Sequence, residues 1–123
     1  MIMKILGIDY GRKKIGLALG VGSLAEPMKV IRYSDTKTLE GQIKKIVEEE
    51  NIEKIVVGIS EGEMGEESKR FAQSIGAETF DETLTSKEAQ RLSIEAGISR
   101  KKRKGMEDAY AASIMLQSYL DSK

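Results

Sequence analysis

The sequence predicts an α/β fold: a mixed five-stranded sheet with helices packed against it, in the order β-β-β-α-β-α-β-α-α. Two apolar runs, residues 2–9 and 15–19, flank a short Gly-containing turn and read as a hairpin. Ile55 to Ile59 is short and nearly continuously apolar, as a strand covered on both faces should be. The segments that follow alternate helical and strand periodicity, the pattern of a layered sheet.

The first strand covers residues 2–9 and ends at Asp9. Tyr10 to Lys14 turn the chain into a second strand at 15–19. Residues 21–27 hold Gly22, Ser23 and the only proline, Pro27, and read as a loop before a third strand at 28–33. Asp35 or Thr36 caps a helix over 37–50, whose Leu39, Ile43, Ile46 and Val47 fall on one stripe. After the strand at 55–59 come a Gly/Glu loop at 60–65, a helix over 66–75 that stops at Gly76, and a strand at 77–80. Thr85 and Glu88 match a capping box for a helix over 86–96, ended by Gly97. Residues 98–105 are a basic loop, and a last helix runs over 106–121. Right-handed crossovers place the first strand beside 55–59, with 77–80 parallel to it.

A chain of 123 residues is expected to form one domain spanning 1–123. No apolar stretch approaches the roughly 20 residues that span a bilayer, and the first residues carry no signal-peptide pattern. The expectation is a cytoplasmic protein without membrane contact. Cysteine and histidine are both absent. That excludes disulfides, thiolate zinc sites, cysteine nucleophiles and the Ser-His-Asp triad. Carboxylates, Lys, Tyr and Ser remain as catalytic groups. The formal net charge is zero, but the charge is unevenly spread. Residues 100–104 read RKKRK, whereas 61–67 read EGEMGEE.

The acids fall at the strand ends. Asp9 closes the first strand, Glu61 follows the strand at 55–59, and Asp81 and Glu82 follow the next. Asp108 lies in the first turn of the last helix. In parallel sheets, sites form at the carboxyl ends of strands. Carboxylates gathered there repel unless a cation resolves them. Mg²⁺ or Mn²⁺ suits such hard oxygen donors, and two such ions support in-line phosphoryl displacement without histidine. The plainer reading stays open: polar loops carry acids, and Asp108 or Glu107 complements a helix dipole. Arg100, Lys101, Lys102, Arg103 and Lys104 precede Asp108 and are candidate phosphate contacts, with Arg12 and Lys13 of the first turn. Few aromatics accompany them, so sequence-neutral contact is expected over base stacking.

These motifs resemble a known family. Asp9-Tyr10-Gly11 with Ile15-Gly16-Leu17-Ala18 is similar to the opening signature of YqgF/RuvX proteins, and Ile55-Val56-Val57-Gly58 to their central strand. Asp81-Glu82-Thr83-Leu84-Thr85-Ser86 followed by Glu88-Ala89 resembles their Asp-Glu-Arg-Leu segment. Lys104 to Ala112, with Leu116 and Tyr119-Leu120, resembles the closing motif and its helix. The matches come in family order across nearly the whole chain. The resemblance implies an RNase H-like fold and a metal-dependent nuclease trimming the 5′ end of precursor 16S rRNA, or a Holliday-junction resolvase. It maps the catalytic and metal-binding triad onto Asp9, Glu82 and Asp108, with Asp81 and Glu61 as substitutes for the third acid. It implies RNA or branched DNA as partner, and a monomer or homodimer. This sequence has Thr83 where the family has Arg, and its segment Gly58 to Gly65 replaces the usual loop with a shorter one. A non-catalytic nucleic-acid-binding paralogue is a further reading. An actin/hexokinase-type ATPase is disfavoured, because Arg12-Lys13-Lys14 replaces the small hydroxyl residue of that turn.

Overall fold

The computed structural model describes residues 2–60, 62–81 and 105–122. Among them the elements run β1 (Lys4–Asp9), β2 (Lys14–Val21), β3 (Leu24–Arg32), α1 (Thr36–Glu49), β4 (Lys54–Ile59), α2 (Glu63–Ile75), β5 (Glu78–Asp81) and α3 (Glu107–Asp121). The strands form one sheet in the order β3-β2-β1-β4-β5. β1, β2 and β3 are antiparallel neighbours, while β1, β4 and β5 run parallel. This is the mixed sheet the sequence predicts.

Alternation along each strand sorts the side chains. Leu6 and Ile8 of β1, Ile15 and Leu17 of β2 and Val57 of β4 face Leu39, Ile43 and Ile46 of α1 and Phe71 and Ala72 of α2. Ile5, Ala18 and Val56 face the other way, onto Ala112, Met115, Leu116 and Tyr119 of α3. Helices thus cover both sides, which explains why the middles of β1, β2 and β4 carry no polar side chain on either face, polar residues standing only at their ends. Leu6, Ile8, Leu17 and Val57 are fully buried, and each such burial stabilises by about 1.5–3 kcal/mol. The middle of the sheet is therefore the firm base from which the strand ends project.

Asp35 caps α1 as expected, its carboxylate accepting from the Thr38 backbone N–H at 3.1 Å and the Thr38 hydroxyl at 2.9 Å. Several boundaries differ from expectation. The loop expected at 21–27 is only the turn Gly22-Ser23, with Gly22 at φ +65°. Pro27 lies inside β3, which it can occupy because β3 is an edge strand and its register to β2 shifts there, Leu17 facing Lys29 and Ala18 facing Pro27. α2 starts at Glu63 rather than 66, so the β4–α2 connection is shorter still. Asp81 is the last residue of β5 rather than a residue beyond it. The helix expected over 86–96 and its capping box lie outside the described residues, as does the basic segment apart from Gly105.

Candidate active site

Asp9 ends β1 opposite Gly16 on β2 and Gly58 on β4. Directly opposed residues on neighbouring strands share a face. Asp9 therefore belongs to the face that also carries Gly16 and Ala18, the one beneath α3. A Cβ at Gly16 would lie 1.8 Å from the Asp108 carbonyl oxygen and 2.0 Å from its carbonyl carbon. Only a residue without a side chain lets the first turn of α3 rest on the β2 backbone there. One strand spacing, about 4.7–4.9 Å, then separates Gly16 from Asp9. Two acids distant in sequence are brought to the same face at the same rim by the opposed pair Asp9–Gly16 and by the seat Gly16 gives α3.

Asp108 is 28% exposed at its side chain, and its Oδ2 lies 3.2 Å from Lys14 Nζ. Lys14 opens β2 two residues before Gly16, so the same alternation puts it on the α3 face. Sequence reading takes Arg12 and Lys13 from this basic run and misses Lys14; counting back in twos from Gly16 would have found it. Lys13 is exposed, and its carbonyl accepts the Tyr33 N–H at 3.0 Å.

Arg12 is engaged elsewhere. Its Nε and Nη2 lie 2.9 and 2.6 Å from Glu67 Oε2, and Glu63 is 3.8 Å away. The hydrogen bonds from Arg12 hold the Glu67 carboxyl below its usual range, and the same bonds raise the Arg12 guanidinium. The turn is fixed at two further points: the Tyr10 ring packs on Phe71 with centroids 4.9 Å apart, and the Tyr33 hydroxyl donates to the Gly11 carbonyl. A residue expected to touch phosphate is thus neutralised by α2. Glu67→Gln should release it and strengthen binding of a polyanionic probe by severalfold in low salt, a gain that fades as salt rises. A filter-binding salt series reads this.

Asp81 pairs in register with Ile59 and lines a crevice with Ser60, Glu66 and Lys69. That is the α2 side of the sheet, away from Asp9 and Asp108. Glu61, Glu82 and Arg100 to Lys104 lie outside the described residues. Among the described residues, no group of three or more acids is gathered closely enough to hold a metal ion. The pair Asp9 and Asp108 supplies hard oxygen donors, and the Lys14 ammonium already sits on one of them as a cation would. In chemical type these donors fit Mg²⁺ or Mn²⁺.

A family model described as RuvX, Holliday junction resolvase, matches residues 3–122. The chain belongs to the RuvX family. Full-length relatives agree with this: one from Oceanobacillus iheyensis, provisionally named a pre-16S rRNA nuclease, is 38% identical over 98% of this chain and 100% of its own. Another of that name, from Syntrophus aciditrophicus, is 38% identical over 98% of this chain and 89% of its own. The first of these alignments spans 137 positions against a chain of 123 residues, so that relative carries residues this RuvX protein lacks. Among solved structures, Thermus thermophilus RuvC in complex with a Holliday junction substrate superposes with a TM-score of 0.65 at 14% identity, covering 98% of this chain and 96% of that one. Fowlpox virus resolvase bound to Holliday junction DNA gives 0.61 at 17% identity, covering 98% of each chain. At such identities the likeness speaks for the fold alone, the RNase H-like fold that the RuvX resemblance implies. Among the described residues, no helix is long and apolar enough to cross a membrane.

Proposed function

We propose that this RuvX protein is a cytoplasmic, metal-dependent nuclease that hydrolyses phosphodiester bonds at the 5′ end of precursor 16S rRNA. The observation that carries the reading is the common face of Asp9 and Asp108 at the carboxyl rim of the sheet. Asp9, Asp108 and Glu82 would hold the ions. Glu82 is preferred to Asp81 because Asp81 belongs to the α2 side, and Glu61 is the substitute. Divalent ions supply an activated water and stabilise the leaving oxygen of an in-line displacement. The chain's own part is to fix the two carboxylates on rigid elements, β1 and the start of α3. Lys13 and the cluster Arg100 to Lys104 would contact phosphates without reading sequence.

Ribosomal RNA is preferred to a DNA junction because the full-length relatives carry that name, whereas the solved resolvases share only 14–17% identity. The family's description keeps junction resolution as a second reading, and that reaction requires a homodimer with paired sites. The test is cleavage with Mn²⁺ of a precursor 16S 5′-end RNA and a four-way DNA junction side by side. The expected result is RNA cut at defined positions, stopped by EDTA, with the junction intact. Symmetric nicking of the junction alone would move the assignment to a resolvase. Metal-free binding with no cutting of either would make the chain a non-catalytic binder.

A further inference from the structure

We propose that Lys14 is a positioning residue for the metal site: a built-in counter-ion that holds the Asp108 carboxylate at the rim before a metal binds and yields it to the metal. The inference rests on the nuclease reading in taking Asp108 as a ligand of the ion. Three observations support it. Lys14 Nζ lies 3.2 Å from Asp108 Oδ2, closer than any solvent-separated pair. Lys14 stands on the same strand face as Gly16, the residue that seats the Asp108 backbone, so anchor and counter-ion come from one strand. Both side chains keep a path to solvent, 42% and 28% exposed, so the pair can open without unfolding anything.

The chemistry suits exchange. A carboxylate placed near other acids needs a positive neighbour when no metal is present. An ammonium on a flexible stem supplies one and can swing away, whereas a guanidinium would grip the carboxylate with two bonds. The ammonium competes with a dication for the same oxygen, and its charge repels the ion. Lys14 therefore lowers metal affinity while keeping the ligand in place.

Manganese titration calorimetry on the full chain without nucleic acid tests this. A half-exposed ion pair corresponds to a change of about three- to fivefold in an equilibrium constant. Lys14→Met should bind Mn²⁺ tighter by that factor, and Lys14→Gln should do the same should the methionine variant fold poorly. Lys44→Met removes an equal charge from an exposed position of α1, on the side of the sheet opposite α3, and should change affinity less than twofold. Lys14→Arg should bind no tighter than the parent. Unchanged or weaker binding in both neutral Lys14 variants, or an equal gain from Lys44→Met, overturns the proposal. Absence of Mn²⁺ binding in the parent chain overturns the nuclease reading and this inference with it, whereas parent binding with an indifferent Lys14 overturns this inference alone.

Discussion

Asp9→Asn and Asp108→Asn should each leave a folded chain that no longer cuts. Cleavage should fall by about two to three orders of magnitude, the loss that follows removal of a single group stabilising charge in a transition state. The amide keeps the size of the carboxylate but loses its charge, so a hard cation loses most of its hold. Both residues stand at the ends of elements whose anchors are other, apolar side chains: Leu6 and Ile8 hold β1, Ala112 and Leu116 hold α3. Asp108→Asn also gives up the Lys14 pair, worth at most about 1 kcal/mol where solvent screens it. A single-turnover assay with a thermal melt separates the two effects. Lost cleavage with a cooperative melt is the expected pair of results.

Gly16→Ala should damage both stability and cleavage, although it adds only a methyl group. That methyl would meet the Asp108 carbonyl at 1.8 Å. The obstacle is backbone, so no rotamer change relieves it, and α3 must lift from β2. Overpacking of this kind costs about 1–3 kcal/mol, which in a chain of this length lowers the melting temperature by about 5–15 °C. Cleavage should fall further than stability explains, because lifting α3 carries Asp108 off the rim; misplacement by about 1 Å is enough for about a hundredfold loss. Gly41→Ala, in α1 with open space around it, should do neither.

The sheet was legible because its signals are local. Continuous apolar runs marked the doubly covered strands, and Asp35 announced α1 in the sequence as it caps it in the structure. Pro27 was misread because a proline marks a loop unless the strand is an edge, and edge status is a property of the sheet. The strand ends told that Asp9 and Asp81 lie near the same rim. They did not tell the side, since one residue of shift at β5 exchanges the faces. Gly16 reads in the sequence as a strand glycine; that it seats α3 follows from the way the helix crosses the sheet. The partners of the first turn's cations were hidden for the same reason: Arg12 meets Glu67 across 55 residues and Lys14 meets Asp108 at the far end of the chain.

Titration of the protein with Mn²⁺, followed by electron paramagnetic resonance of the free ion, addresses the shared cation most directly. The parent chain should take up manganese, and Asp9→Asn and Asp108→Asn should each lose that uptake, since the two carboxylates serve one site. Uptake equal to that of the parent in both variants would contradict the account.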